Sequence, residues 1–598
     1  MSTGGHGPIV EFSNVTTAPP STTLSRTALG RPVPSAWRRA TARVTQEDPV
    51  ISWVISIAIT VMAFLMRVWH LGIPHIFAFD ETYYAKDAWS LLHYGYARNA
   101  VADPDKMILA GNTDPTKVFS PDGAEMIVHP EVGKWLIALG EKAFGMDPFG
   151  WRIAAAVVGS LMILVLIRLA RRLTGSTMLG AVAGLLLAFD GLEFVLSRLA
   201  LLDIFGAFFI LLAVHFMVMD RDWYRAKLAR LVTVEAAVGY RRDVREWGPV
   251  RRLLFRPWLL AAGITWGLAL GTKWDAAYPL ACFSLLYVAW CAGARRMFSV
   301  RWSIPKALLA DGVTAFVHLV VVAAIVYTAS WTGWLINHRV YEESLSSTQY
   351  TQYTGKGHCD GTTYVADDPN PNAKWPTAAK ADDPMPTGLD RFTVPLRSLW
   401  YYHQDVFTFH THFLNCATHT YASHPAAWPL LNRPVGVAAD TGIKPGAESD
   451  GQTCTAPEGD TCLRQVLLLG TPVLWWGGAL ALIAALVLWI GARDWRFGVA
   501  IVGALSTWLP WLQYADRPIF SYYAITMIPF TVLAIVLCMG RMIGTARVST
   551  PQRTVGVIVS GAFFLLVLAN FAWFWPIYTN QLLTHGQWLS RIWFSRWI

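Results

Sequence analysis

Apolar runs long enough to cross a bilayer recur along most of the 598-residue chain. They predict eleven spanning helices, over about 51–69, 151–169, 176–194, 199–219, 257–272, 275–293, 307–330, 466–490, 497–512, 519–540 and 554–576. The polar stretches between them are unequal. The connection 71–150 carries two helix-like stretches, near 80–95 and 131–145. The second, Glu131–Phe144, is amphipathic and suits a membrane surface. The connection 331–465 is too long to be a simple link, and it is rich in Gly, Pro, Asp, Thr, His and aromatics without an internal repeat. The expected fold is an all-α polytopic membrane protein with large extracytoplasmic loops.

Composition agrees with the pattern. Hydrophobic residues make up 54% of the chain and charged residues only 15%, which excludes a soluble multidomain protein. The 29 Trp suit aromatic belts at two membrane interfaces. The formal charge of +9 does not indicate nucleic acid, because most Lys and Arg lie in short loops rather than on a basic face. These loops orient the chain instead. With a cytoplasmic N-terminus, the inner connections carry Arg168, Arg171 and Arg172, the basic stretch 221–256, Arg295, Arg296, Arg301 and Lys306, Arg493 and Arg496, and Arg541, Arg547 and Arg553. Residues 71–150, 331–465 and 577–598 then lie outside.

Four units follow. Residues 1–50, with Arg26, Arg31, Arg38, Arg39 and Arg43 but no apolar signal-peptide core, read as a disordered cytoplasmic tail. Residues 51–330 form an N-terminal transmembrane catalytic part that includes outer loop 71–150. Residues 331–465 form the large outer loop. Residues 466–598 form a C-terminal four-helix transmembrane part with an outer tail. Cys359, Cys416, Cys454 and Cys462 all fall in the large loop and suggest two disulfides. Three connectivities are open, with Cys454–Cys462 the easiest local pair. Cys282, Cys291 and Cys538 fall in spans and read as packing.

The polar residues that topology does not explain gather at the outer ends of the spans. Asp80 and Glu81 follow the first. His129 and Lys134 lie in the next surface stretch, and Arg152 opens the second span. Asp190, Glu193, Arg198 and Asp203 cluster between the third and fourth spans. Lys273 and Asp275 sit in a tight turn. Asp516 and Arg517 precede the tenth span, followed by Tyr522 and Tyr523. Each has a plainer reading: Asp80 as a helix cap, Arg198 with Asp203 as a structural pair, Lys273 snorkelling, His129 solvated, Arg152 an interfacial anchor. Together, carboxylates suit a general base, and cations at membrane depth suit a lipid phosphate. This combination fits an extracytoplasmic hydroxyl attacking a sugar carried on a lipid phosphate. His403, His410, His412, His419 and His424 are dense, yet their spacing matches no zinc motif, so they read as an acceptor surface.

Phe79-Asp80-Glu81, His129-Pro130 with Gly133-Lys134, Arg152, and Ser197-Arg198 with Leu201-Leu202-Asp203 occur in an order that resembles the protein O-mannosyltransferases, membrane enzymes of the GT-C architecture. Gly271-Thr272-Lys273-Trp274, Tyr402-His403, Phe409-His410, His419 with Tyr421 and Ser423, and Arg517 with Tyr522-Tyr523 before Pro529 resemble later blocks of that family. Glu131 and Val132 depart from it, standing where many members have Pro and Leu, and the β-trefoil of eukaryotic members is absent from the large loop. The actinobacterial branch is the better match.

The resemblance implies a polyprenyl-phosphate-mannose donor, Ser or Thr acceptors in exported proteins, inversion at the anomeric carbon, and a plasma-membrane location. It implies Asp80 as base, Glu81 placing the acceptor or base, and Arg152 as an arginine needed at the site. Arg152, Arg198, Lys273, Arg517, Tyr522 and Tyr523 are expected on the donor phosphate or lipid, and His129, His403 and Asp203 on the acceptor. Secretion machinery is a further expected partner. No cofactor or metal ligand set is legible, and a divalent cation is left open. Two rivals are a GT-C enzyme moving another sugar to a lipid, and a transporter. The transporter predicts midplane charges and repeat symmetry, neither of which the chain displays.

Overall fold

The computed structural model describes residues 49–237, 254–297, 300, 302–346, 356–368, 375, 379–544 and 549–598. The expected tail 1–50 lies almost wholly outside the described residues, as do much of the basic stretch 221–256, Arg301 and Arg547.

Every expected apolar run is helical at its core. Seven described helices are long and apolar enough to cross a membrane: Pro49–Val68, Pro148–Thr174, Leu202–Ala229, Trp274–Met297, Ser303–Ser330, Pro472–Ile490 and Pro551–Tyr578. The shorter apolar helices are Thr177–Ala188, Pro257–Leu270 and Ile528–Ile543. The ninth expected span is the 14-residue helix Trp495–Trp508. One boundary moves. The run expected to open a span at 466 instead belongs to a strand, Cys462–Leu468, and the helix begins at Pro472. A short apolar run without polar alternation fits a buried strand as well as a helix. This strand pairs with Val435–Ile443 on one side and with Leu583–Thr584 from the C-terminal tail on the other.

The bundle closes through small residues. A Cβ on Gly263 would collide with the backbone at His318, so Pro257–Leu270 and the Ser303–Ser330 span can touch backbone to backbone only with glycine there. The two helix-like stretches of 71–150 are Glu81–Tyr94 and Val132–Phe144. Trp135, Leu139 and Phe144 stay exposed on the second, while Gly133, Lys134 and Ile137 turn inward. The large loop contains the helix Asp390–Thr408, which runs directly into a wide turn, Phe409–Phe413. Its disulfides are Cys359–Cys416 and Cys454–Cys462.

Candidate active site

The turn Phe77–Asp80 sets the site. Phe79 adopts a left-handed backbone (φ 55°), a conformation that costs a non-glycine residue about 1–3 kcal/mol and marks functional turns. Its ring meets Phe520, Tyr522 and His419 edge-on, at 5.5, 5.9 and 6.0 Å. Asp80 and Glu81 then diverge.

Glu81 is fully buried. Its two oxygens take Arg152 Nε at 2.8 Å and Nη2 at 2.7 Å, together with the Ala78 and Ala200 amides. Asp80 occupies the N-cap position without accepting a capping bond, so the plain helix-cap reading does not hold. Its carboxylate accepts one long bond, 3.4 Å, from Tyr84 one turn on. Burial, with help from the Asp203 charge, raises its pKa from 3.8 to about 6, against the opposing pull of Lys273 and Tyr84.

Beyond Asp80 the side chains line up across the site. The Tyr84 ring lies 6.1 Å from His129, and His129 stacks on His410 at 5.6 Å. Arg517 donates from Nη1 to His410 Nδ1 (2.9 Å) and to the His410 carbonyl (3.1 Å). Since guanidinium only donates, His410 Nδ1 is an acceptor and Nε2 carries the hydrogen, which points to the Val128 carbonyl at 3.3 Å. Burial first, and then the Arg517 charge, push the His410 pKa down to about 3. Burial, Lys273 and His410 push His129 well below its ordinary value. Both rings are therefore neutral at physiological pH. Among the described residues, the buried Nε of Arg517 has no hydrogen-bond partner.

A cavity of about 240 Å³ opens here, lined by His129, Lys273, His410, Arg517 and Tyr523 together with Tyr278, Tyr514 and Trp511. Lys273 pairs with Asp203 at 2.7 Å and lies 4.2 Å from the Tyr523 ring centroid. Lys273 is thus not a snorkelling chain. Asp80 stands beside this pair, next to the cavity wall rather than in it.

Several expected site residues are occupied elsewhere. Arg152, expected to meet a lipid phosphate, is fully buried on Glu81 and on the Leu71, Pro74 and Ile76 carbonyls. Arg198, expected in the same role, donates to the Arg67, Trp69 and His70 carbonyls and so caps the end of the first span; Asp203 is not its partner. Tyr522 packs into the Phe79 aromatic cluster, away from the cavity lining. His403, expected on the acceptor, stacks on Trp274 at 5.2 Å and bonds Tyr327 and the Leu399 carbonyl, behind the cavity wall. Asp190 caps the helix Gly191–Leu196 and accepts from Trp475, while Glu193 pairs with Arg67. Lys134 pairs with Asp87. Among the described residues, no three His, Cys, Asp or Glu side chains converge as a metal site.

Three site residues escaped the sequence reading. Tyr84, four residues after Asp80 on one helix, was accessible to the i, i+4 rule. The Tyr278–Tyr514 pair, bonded at 2.7 Å across 236 residues, left no local signal.

Known proteins resemble this chain over most of its length. Residues 57–238 match the family described as dolichyl-phosphate-mannose-protein mannosyltransferase, and residues 395–597 match the C-terminal four-transmembrane region of protein-O-mannosyltransferase. The polyprenol-phosphate-mannose–protein mannosyltransferase of Mycolicibacterium smegmatis is 33% identical over 96% of this chain and 100% of its own length. The protein of that name from Mycobacterium tuberculosis is 31% identical over 92% of each chain. In structure, the S. cerevisiae protein O-mannosyltransferase Pmt1-Pmt2 complex bound to the sugar donor superposes with a TM-score of 0.62 at 14% identity, covering 94% of both chains. The helical bundle and these matches define a multi-pass membrane glycosyltransferase of the GT-C architecture. Within that class, the chain belongs to the protein O-mannosyltransferase family.

Proposed function

We propose that this enzyme transfers mannose from polyprenyl-phosphate-mannose to Ser and Thr hydroxyls of exported proteins, at the outer face of the plasma membrane, with inversion. The names of the actinobacterial relatives support the donor and the protein acceptor. The orientation is supported by the charge pattern: the cavity lies at one end of the bundle, while Arg168, Arg171, Arg172, Arg295, Arg296, Arg496 and Arg541 cluster towards the other ends of their helices.

The observation that carries the mechanism is Asp80, a carboxylate with one weak bond and a pKa near 6, beside a cationic cavity. Asp80 takes the proton of the acceptor hydroxyl, and the oxygen forms a bond to C1 of mannose. The bond from C1 to the phosphate oxygen breaks on the opposite face, and polyprenyl phosphate leaves with one more negative charge. Arg517, which lines the cavity, receives that charge, and the Lys273–Asp203 pair borders it. A phosphate leaving group needs little protonation, so one carboxylate suffices. Glu81 and Arg152 act beneath this layer by fixing the turn that presents Asp80.

The test is mannose transfer to a Ser/Thr peptide by the purified full chain, with the anomeric configuration of the product read by NMR. Wild-type transfer giving an α-mannoside, lost in a folded Asp80→Asn variant, is the expected result. Undiminished transfer by that variant overturns Asp80 as base, and retention of the β configuration overturns inversion.

A further inference from the structure

The helix Asp390–Thr408 has two apolar faces, and the bundle packs against only one of them. Pro395, Leu399, Tyr402 and Val406 are buried. Tyr402 packs 4.5 Å from Trp334 and 5.1 Å from Trp331. The other face is bare: Leu389, Phe392, Leu396, Trp400 and Phe407 are 82, 69, 46, 62 and 56% exposed. At 3.6 residues per turn these five fall within an arc of about 80°, a stripe roughly 28 Å long that inward-packed His403 interrupts before Phe407. Exposed Arg397 borders the stripe, and exposed Arg391 lies near its N-terminal end on the opposite side of the helix.

The depth of the helix is fixed by its neighbours. His403, on its last turns, bonds Tyr327, which lies on the last turn of the Ser303–Ser330 span. That span has 28 residues, about 42 Å of helix, and its exposed residues Val313, Phe316, Val320 and Ile325 form a lipid-facing side. Exposed Ile336 continues this apolar side just past Trp331. The C-terminal turns of the helix therefore sit level with the end of a lipid-facing span, where headgroups meet acyl chains. Leu, Phe and Trp on one face with Arg at its edge is the composition of a helix that lies in that layer. Anionic headgroups complement Arg391 and Arg397.

We infer that Asp390–Thr408 is an interfacial membrane anchor, its Leu389–Phe407 stripe immersed in the lipid surface on the cavity side of the bundle. The anchor is joined to the site. Phe407 is also a cavity-lining residue, and the chain passes straight from Thr408 to His410, which holds Arg517. Lipid contact along the stripe would hold the cavity mouth at the depth of a lipid phosphate. The inference concerns where the helix lies, and it holds whatever sugar or acceptor the enzyme uses.

The test places single cysteines at Phe392, Leu396 and Trp400 in full-length protein with Cys282, Cys291 and Cys538 replaced by alanine. Each is labelled with bimane and reconstituted in nanodiscs of phosphatidylcholine and phosphatidylglycerol carrying brominated acyl chains. A label at partly exposed Asp460, in the short loop between Cys454 and Cys462, is the control, and thermal unfolding checks that each variant folds. Brominated lipid is expected to remove about half or more of the emission at 392, 396 and 400, and little at 460. Aqueous iodide should act in the opposite order. Arg391→Gln with Arg397→Gln should lose the part of the quenching that depends on phosphatidylglycerol. Iodide quenching at 392 and 400 equal to that at 460 overturns the inference by placing the stripe in water. Protection from both quenchers overturns it in favour of a protein partner on the stripe.

Discussion

Glu81 and Arg152 form a two-pronged ion pair, Nε to Oε1 at 2.8 Å and Nη2 to Oε2 at 2.7 Å, with neither side chain exposed to solvent. Residues 71 positions apart thus lock the turn that carries Asp80 onto the second span. Removing one partner leaves the other charge buried, which typically costs about 3–5 kcal/mol. Glu81→Gln and Arg152→Met should each lower the unfolding midpoint in detergent by several degrees and lose activity through misplacement of Asp80. The Glu81→Gln/Arg152→Met pair should be less damaged than the sum of the two. Strict additivity of the midpoints would mean the pair is not coupled.

Asp80 should show the opposite balance. A positioned base contributes about 10²- to 10⁴-fold, so Asp80→Asn should lose transfer on that scale. Its stability should not fall. The folded state holds the Asp80 proton up to about pH 6, against 3.8 for an ordinary aspartate, so stability declines as pH rises through that window. At pH 7.5 the ionised, partly buried carboxylate is a net cost. Asparagine removes it, for a gain on the order of 1 kcal/mol. A calorimetric scan at pH 7.5 checks the sign. Stability and activity falling together would place Asp80 in the framework rather than the chemistry.

Arg517 depends on His410 for its aim, since Nη1 donates to both the ring and the carbonyl of that residue. Lysine in its place keeps the charge but loses the fork, so Arg517→Lys should lower kcat/KM by about 10-fold and Arg517→Met by about 10²-fold or more. His410→Phe should reproduce part of that loss, and His410→Gln, which can accept and donate, should restore most of it. Steady-state kinetics with varied lipid donor separates these outcomes. Equal loss in the Phe and Gln variants would show that the ring does something other than hold Arg517.

How much of this was readable along the chain depends on the range of each signal. The apolar runs predicted the helices because hydrophobicity is local and cumulative, and they failed at 466–468, where a strand buried on both faces mimics the start of a span. The polar residues at the helix ends were found for the same reason. Their division into free and paired groups was not legible. Asp80 and Glu81 are adjacent, yet about 100° apart on the helix, and the partner that neutralises Glu81 lies 71 residues on. Arg152, Arg198 and Arg517 look alike as cations near an interface, and only the fold shows that two of them satisfy backbone carbonyls while the third faces the cavity. The disulfide partners were open on paper because spacing does not fix connectivity.

The Cys359–Cys416 disulfide ties the hairpin 357–366 to the turn that follows His410, and the Cys416 amide donates to the Asp516 carbonyl at 3.2 Å, next to Arg517. Its partners are 57 residues apart, so losing it releases a long loop, worth about 2–4 kcal/mol. Cys359→Ser with Cys416→Ser should raise KM for the lipid donor and increase protease cleavage within 357–416. Cys454→Ser with Cys462→Ser, which opens a loop with a separation of only 8 residues away from the cavity, should leave KM unchanged. Equal effects on KM from both pairs would show only general destabilisation of the loop.

The Lys273–Asp203 pair should tune Asp80 in two directions. Asp203 raises the Asp80 pKa and Lys273 lowers it, both acting through space on a carboxylate shielded from water. If Asp80 is the base, kcat/KM rises about tenfold per pH unit below 6 and levels off above it. His410, with its pKa pushed down to about 3, adds no second limb there, and burial with the Lys273 charge holds His129 well below its ordinary value. Asp203→Asn removes the repelling charge, so the limb should move to lower pH. Lys273→Met removes the attracting charge, so the limb should move to higher pH even as the plateau falls with the loss of a cation from the cavity. A merely structural role for the pair would lower the plateau and leave the midpoint in place. Profiles of kcat/KM from pH 4.5 to 8 for the three proteins distinguish the cases, and shifts of the same sign in both variants would exclude Asp80 as the titrating group.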